Sequence, residues 1–90
     1  MMSNLPTKID EKDKDKQILR TGIIAELDAI NLYEQLASNT KNEKIKKVLL
    51  DIAKEEKTHV GEFLSLLLEI DKEQEEEIEK GKKEVKEFIK

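Results

Sequence analysis

The stretch that decides the fold runs from Ile45 to Ile70 and reads IKKVLLDIAKEEKTHVGEFLSLLLEI. One row of its residues recurs at alternating steps of four and three, the spacing of a helix face that packs in a bundle. The row consists of Ile45, Leu49, Ile52, Glu56, His59, Phe63, Leu66 and Ile70. We therefore predict a helix from about Asn42 to Ile70 with this row as its packing seam. Apolar residues beside the row widen the surface, which indicates that the helix faces two neighbours.

The preceding stretch, from about Gln17 to Ser38, has the same alternating spacing and predicts a second amphipathic helix. Its row consists of Leu19, Ile23, Glu26, Ile30, Tyr33 and Ala37. Polar residues 38–42 break the pattern between the two helices. Thr40 followed by Glu43 fits a capping box, so we expect Thr40 to cap the helix that follows.

The ends of the chain are more polar than its centre. Asp71 with Gln74 predicts the cap of a short third helix, whose thin apolar stripe is expected to lean on a partner. That stripe is formed by Ile78, Val85, Phe88 and Ile89. At the other end, residues 1–15 have no apolar period and read as a flexible lead that becomes helical near its end. Residues 16–90 then form one helical domain.

These elements predict an all-α fold. Two long helices joined by a short connection form an antiparallel hairpin, followed here by the short C-terminal helix. A hairpin cannot bury its apolar seam by itself, and 90 residues make a small core. We therefore expect a four-helix bundle that forms only when two copies dimerise.

Composition narrows the function classes. The chain has no cysteine, which excludes a disulfide framework, an iron–sulfur cluster and a thiolate zinc site. Charged residues make up 42% of the chain with a net charge of -4 and no basic face, which argues against nucleic acid as a partner. No apolar run approaches a membrane span, and the first residues lack the apolar segment of a signal peptide. We expect a soluble, cytoplasmic protein.

Polar residues in the two predicted seams point to chemistry. Glu26 and Tyr33 occupy the first seam, and Glu56 and His59 occupy successive positions of the second. An unpartnered buried carboxylate is costly, and its usual remedies are protonation, an ion pair or a metal. The Glu-x-x-His spacing puts Glu56 and His59 one turn apart on one face. Oxygen-rich ligands with an imidazole suit iron or manganese.

The number of these residues predicts a site shared between chains. Carboxylate-bridged di-iron bundles take one Glu from each of two helices and a Glu-x-x-His pair from each of two others. One copy of this chain supplies one helix of each kind, which is half of that set. A two-fold axis completes the set, so we expect the site in a dimer and not in a monomer.

From Ile18 to about Phe88 the sequence resembles the encapsulated ferritins, and most of all the ferritin-like domain fused to archaeal encapsulin shells. The matching residues are AELDAINLYEQ, Ala25 to Gln35, and EEKTHVGEFLSLLL, Glu55 to Leu68. The resemblance implies a half-ferritin subunit with its ferroxidase centre across a dimer. It also implies dimers assembled into an open ring, commonly a decamer, inside an encapsulin nanocompartment whose shell stores the oxidised iron.

By position, the resemblance implies that Glu26, Glu56 and His59 are iron ligands, with two iron ions per dimer. It implies that Tyr33 hydrogen-bonds a ligand carboxylate, although simple core packing would also explain this residue. Three glutamates off the seams are expected to be solvated: Glu34, Glu55 and Glu62. Some relatives carry an iron-uptake site of two acids and a tryptophan, whose positions here hold Ala25, Asp28 and Leu32.

Two other functions fit the same residues. A rubrerythrin-like peroxidase or a manganese catalase would use a similar ligand set, although rubrerythrins typically add a cysteine-based centre that this chain lacks. A non-enzymatic helical docking module would use the buried polar residues only to fix register. Peroxide assays with iron and manganese distinguish the peroxidase or catalase from a ferroxidase. An oligomer whose assembly does not depend on metal would indicate the docking module.

Overall fold

A computed structural model describes residues 11–89, apart from the side chain of Lys12, as three α-helices and no strand. Helix α1 spans Glu11–Asn39, α2 spans Glu43–Ile70 and α3 spans Lys72–Phe88. The predicted all-α class and its three helices are confirmed. Helix α1 begins before the predicted Gln17, so residues 11–15 of the predicted lead are helical, and residues 1–10 lie outside the described residues. Acidic residues in its first turn favour this early start, because they interact with the positive end of the helix dipole.

Helices α1 and α2 run antiparallel and are joined by residues 40–42. Helix α1 ends where two side chains take up the carbonyl oxygen of Gln35: Ser38 Oγ donates to it at 2.9 Å and Asn39 Nδ2 at 3.0 Å. Such side chains compete with the backbone for hydrogen bonds and therefore favour helix ends.

The cap of α2 differs from the prediction. Its N-cap is Asn42, whose Oδ1 accepts hydrogen bonds from the amides of Lys44 and Ile45 at 3.0 and 3.1 Å. Thr40 instead accepts from the amide of Asn42, at 3.1 Å, and so shapes the turn before the cap. Asparagine caps a helix at least as well as threonine. Asn42, which directly precedes the helix, is therefore the N-cap in place of Thr40.

The packing seam of the hairpin is correct for α1 and displaced for α2. Ile30 and Ala37 of the predicted α1 row are buried. On α2 the buried residues are Ala53 and Leu67, one position after the predicted row, while Leu66 in that row is 51% exposed. Helix α2 carries two adjacent apolar rows, and a single neighbouring helix can cover only one.

A single residue, Asp71, separates α2 from α3 and is itself buried. Its Oδ1 accepts a hydrogen bond from the amide of Gln74 at 3.0 Å, as the predicted cap requires. Its Oδ2 accepts one from Arg20 Nη2 of α1 at 2.7 Å. Asp71 therefore ties all three helices together at one end of the hairpin.

Beyond this junction, α3 leaves the hairpin. Among the described residues its backbone approaches α2 and not α1. The Cα radius of gyration is 16.6 Å, against about 12 Å for a compact chain of this length. Its apolar stripe ends in Val85, Phe88 and Ile89, which are exposed. The predicted solvated third helix is therefore present, and the C-terminal part of its stripe is uncovered.

None of the helices within residues 11–89 combines the length and apolar character that crossing a membrane requires.

Candidate metal centre

The fold brings together the three residues that the sequence singled out as metal ligands. Glu26 lies in the middle of α1, and Glu56 and His59 lie one turn apart in the middle of α2. Because the helices are antiparallel, their midpoints meet. One ligand atom from each of the three side chains lies within 4.8 Å of the other two.

The imidazole of His59 is the centre of this cluster. Its Nδ1 lies 3.3 Å from Glu56 Oε2, within a hydrogen bond, and 3.4 Å from Glu26 Oε2. Nδ1 can donate one hydrogen only, so it cannot satisfy both carboxylates. Glu26 Oε2 is buried and has no hydrogen-bond partner within residues 11–89. The cluster thus contains a buried carboxylate oxygen that accepts no hydrogen bond from the described residues.

The donor set fits a divalent metal ion. Two ligand atoms that each lie about 2.1 Å from one ion are about 3.0–3.4 Å apart, close to the separations from Nδ1 to the two carboxylates. An ion would satisfy Glu26 Oε2 and offset the repulsion between the two carboxylates. Two oxygens and one imidazole nitrogen are the donors that iron and manganese bind in helical bundles.

The cluster opens onto one side of the hairpin. The side chains of Glu26 and Glu56 are about one-fifth exposed, whereas that of His59 is 44% exposed. Two outer rows flank it, one on each helix, and we call them together the open face. The open face consists of Ile18, Gly22, Ala25, Ala29, Leu32 and Leu36 on α1 and of Ile45, Ile52, His59, Phe63, Leu66 and Ile70 on α2.

Contact and exposure define the open face as a surface. Gly22 lies against the ring of Phe63, which shows that the two rows lie on the same side of the hairpin. Six of its large apolar side chains are between 44% and 51% exposed: Ile18, Leu32, Leu36, Ile45, Leu66 and Ile70. A contiguous apolar surface of this kind is typical of a protein–protein contact.

The other residues noted in the sequence lie outside the cluster. Tyr33 is half-buried, and its hydroxyl forms no hydrogen bond within residues 11–89, so its predicted bond to a ligand carboxylate stays a prediction. Glu34 is exposed and pairs with Lys57 Nζ at 3.1 Å. Glu55 and Glu62 are also exposed, as expected of solvated glutamates. The three positions compared with the iron-uptake site are exposed too: Ala25, Asp28 and Leu32.

Two contacts between residues far apart in the sequence were not found from the sequence. Gly22 packs against Phe63 one helical turn from the cluster, and Arg20 pairs with Asp71 at the α3 junction. A glycine inside a helix is unfavourable and gives a hint of close packing. Neither pairing could be assigned without the register between the helices.

Comparison with known proteins agrees with this fold. The sequence pattern of the rubrerythrin family matches residues 17–90. The chain is 53% identical over 93 aligned positions to a ferritin-like-encapsulin shell fusion protein of Pyrococcus furiosus, covering 98% of this chain and 27% of that protein. It is 39% identical over 72 positions to the encapsulin nanocompartment cargo protein EncC of Myxococcus xanthus, covering 80% and 55% respectively.

A solved structure is similar along nearly the whole chain. The crystal structure of the encapsulated ferritin domain from Pyrococcus furiosus has a TM-score of 0.85 and 52% sequence identity, covering 97% of this chain and 94% of that one. By contrast, this chain spans about a quarter of the length of the curated Pyrococcus relative and about half that of the Myxococcus relative.

Fold and comparison together define a ferritin-like helical protein. The chain belongs to the rubrerythrin family and is a close homologue of the encapsulated ferritin domain. The resemblance drawn from Ala25–Gln35 and Glu55–Leu68 is therefore confirmed.

Proposed function

We propose that this protein is a ferroxidase that oxidises Fe(II) to Fe(III) at a di-iron site shared by two copies of the chain. Glu26, Glu56 and His59 of each copy would be the ligands. The observation that carries the proposal is the buried Glu26 Oε2, which has no hydrogen-bond partner within residues 11–89 and lies 3.4 Å from His59 Nδ1 in a cluster with a second carboxylate. A purely structural cluster would pair this oxygen with a protein donor.

Two features of the hairpin support a shared site. Three ligands per chain are half of the set used by carboxylate-bridged di-iron bundles. The open face surrounds these ligands with apolar side chains, and a second copy seated there by a two-fold axis would cover them. Two hairpins joined in this way form a four-helix bundle, with His59 enclosed between the copies.

In the reaction, iron is the substrate and the protein supplies its surroundings. Two Fe(II) ions each give up one electron; with dioxygen and two protons the products are two Fe(III) ions and hydrogen peroxide, and with peroxide as acceptor the product is water. The four glutamates of a dimer would balance the charge of both ions. His59 of each copy would bind one ion terminally, and Tyr33 would hydrogen-bond a ligand carboxylate and hold it in place.

The proposal extends to the partners and location of the protein. The related proteins are named as an encapsulin shell fusion and as a nanocompartment cargo protein. We therefore propose that this domain lies in encapsulin nanocompartments in the cytoplasm. Its partner there would be an encapsulin shell protein, fused or separate, and the shell would store the oxidised iron. The dimers would assemble further into a ring, commonly a decamer in encapsulated ferritins.

Loss of either α2 ligand tests the activity. Glu56→Ala and His59→Ala should each slow Fe(II) oxidation at least about 100-fold, because removing even a group that orients a ligand costs about 10–100-fold. Stopped-flow absorbance of Fe(III) measures the rate, and circular dichroism should show unchanged helix content. Glu55→Ala is the matched control, since Glu55 is the exposed neighbour of Glu56 and should keep the wild-type rate. Rapid oxidation retained by both ligand variants would rule out this site.

The family match favours one alternative, a rubrerythrin-like peroxidase or a manganese catalase. The same ligands would serve it, so the ligand variants alone do not separate the two functions. Fe(II) oxidation under dioxygen should be faster than peroxide consumption by the manganese-loaded or iron-loaded protein if the ferroxidase proposal holds. Peroxide turnover without net iron oxidation would favour the alternative.

A further inference from the structure

One close contact beside the centre involves a residue that cannot itself bind a metal. Gly22 of α1 lies against the ring of Phe63 of α2: a Cβ atom added at Gly22 would be 3.2 Å from Phe63 Cε2, 3.3 Å from Cδ2 and 3.4 Å from Cζ. We propose that Gly22 is a positioning residue, whose missing side chain sets the separation of α1 and α2 at the metal centre. This inference rests on the proposed function.

The contact lies one turn from the ligands on both helices. Gly22 precedes Glu26 by four residues, and Phe63 follows His59 by four residues. Because the helices are antiparallel, both steps run in the same direction along the hairpin, by about 6 Å. The Gly22–Phe63 contact is therefore the packing layer next to the Glu26–His59 contact. A change in helix separation at that layer reaches the ligands directly.

The displacement that a side chain at Gly22 would cause exceeds the tolerance of metal–ligand distances. A Cβ at Gly22 would be closer to the Phe63 ring than the ordinary contact range of 3.4–4 Å, so the ring or the helix would have to move by a few tenths of an ångström. Metal–ligand distances tolerate deviations of only about 0.2 Å. If α1 moves, Glu26 moves away from Glu56 and His59. If the ring moves instead, it swings within the open face that the second copy would cover.

A glycine at this position also has a stability penalty. Within a helix, glycine is less favourable than alanine, so an unused Gly22 would be improved by alanine. Gly61 provides a matched comparison, because a Cβ added there meets nothing within 4 Å. Gly61 is two residues from His59 and so lies on the opposite side of α2. The two glycines thus differ in whether the space beside them is occupied.

The experiment is a Co(II) titration of the full chain, with the visible spectrum of the bound ion as a reporter of ligand geometry. Gly22→Ala should weaken Co(II) binding about 10-fold and change the spectrum, the size of effect typical of groups that orient ligands. In a Phe63→Leu background, which lacks the ring, adding Gly22→Ala should weaken Co(II) binding less than about threefold relative to Phe63→Leu alone. The effects of two residues that act through one contact are not additive. Gly61→Ala should leave Co(II) affinity and spectrum unchanged.

Unfolding of the metal-free chain provides the second measurement. Gly61→Ala should raise Tm by a few degrees, because alanine favours the helix and meets no neighbour there. Gly22→Ala should raise Tm less than Gly61→Ala does, because the contact with the Phe63 ring offsets the helix propensity of alanine. Weaker Co(II) binding without lower stability would separate a positioning role from a loss of folding. The inference is overturned if Gly22→Ala binds Co(II) like the wild type, or if it weakens binding equally with and without the Phe63 ring.

The same titration separates this inference from the proposed function. Glu56→Ala should abolish tight Co(II) binding. If Glu56→Ala binds Co(II) as the wild type does, the proposed site is wrong and the role of Gly22 falls with it. If Glu56→Ala loses binding and Gly22→Ala does not, only the positioning role is wrong.

Discussion

Two carboxylates lie between helices in this chain, and they have opposite surroundings. Asp71, at the α3 junction, has both oxygens paired: Oδ1 with the amide of Gln74 at 3.0 Å and Oδ2 with Arg20 at 2.7 Å. Glu26, at the centre of the hairpin, has a buried Oε2 without a hydrogen-bond partner within residues 11–89. The difference separates a carboxylate that completes the fold from one that the described chain leaves available to a ligand.

The charges around the two carboxylates differ in the same way. The backbone hydrogen bond from Gln74 lowers the pKa of Asp71 below its ordinary value, and the positive charges of Lys16 and Arg20 lower it further. Glu26 instead faces a second carboxylate, that of Glu56, across one imidazole. Paired charges stabilise a junction, whereas two carboxylates around one nitrogen favour a cation.

The largest effect is expected from Glu26→Leu, which replaces the carboxylate of Glu26 by an apolar side chain. When Co(II) is present at 100 times its Kd, the free energy of unfolding of the wild type should be about 2.7 kcal/mol higher than without metal. Glu26→Leu should not show this increase. Without metal, the same variant should be more stable than the wild type by about 1 kcal/mol, since an unsatisfied buried group is removed. Denaturant unfolding with and without Co(II) measures both.

The control for Glu26→Leu is Glu55→Leu, which changes an exposed glutamate on the neighbouring helix. Metal stabilisation should persist in that variant, with the metal-free stability within about 0.5 kcal/mol of the wild type. A metal-free Glu26→Leu protein that is clearly less stable than the wild type would contradict the account, because Glu26 would then contribute to the fold as Asp71 does.

A smaller effect of a different kind is expected from Asp71→Asn. Asparagine can still cap α3, so the change removes the charge and retains the hydrogen-bond acceptor. At neutral pH, Tm should fall by a few degrees while Co(II) affinity is kept. The pKa of Asp71 is lower in the folded chain than in the unfolded one. The ionised carboxylate therefore contributes its full share to the free energy of unfolding at pH values well above the unfolded pKa of about 3.9. This share is lost as the pH falls through the folded pKa.

Thermal unfolding over a series of acidic pH values checks this prediction. The Tm difference between the wild type and Asp71→Asn should shrink below about pH 4. Arg20→Leu should lower Tm at neutral pH and narrow the same difference, since Arg20 is a partner of Asp71. A difference that stays constant into strong acid would show that the charge of Asp71 contributes nothing to the junction.

The sequence predicts the residues of the cluster better than the packing around them. Glu26, Glu56 and His59 could be found because each interrupts an apolar seam, and the Glu-x-x-His spacing needs only one helix. The seam of α2 could not be assigned, because two adjacent apolar rows fit one helix period and only the partner helix selects Ala53 and Leu67. The cap at Asn42 was missed since two nearby polar residues compete for it.

The contacts between distant residues were outside the reach of periodicity. Gly22 and Phe63 are on different helices, and so are Arg20 and Asp71. Spacing along one helix says which face a residue occupies, but the register between two helices depends on packing and on the length of the turn. That register determines which side chains become neighbours.

If two copies complete one centre, anomalous scattering at the iron absorption edge should locate the iron between them. Crystals grown with Fe(II) should show two anomalous peaks for each pair of chains. Each peak should lie beside Glu26, Glu56 and His59 of one copy and within reach of the same residues of the second. Iron bound by one chain alone, or a dimer whose peaks lie away from these residues, would rule out the shared site.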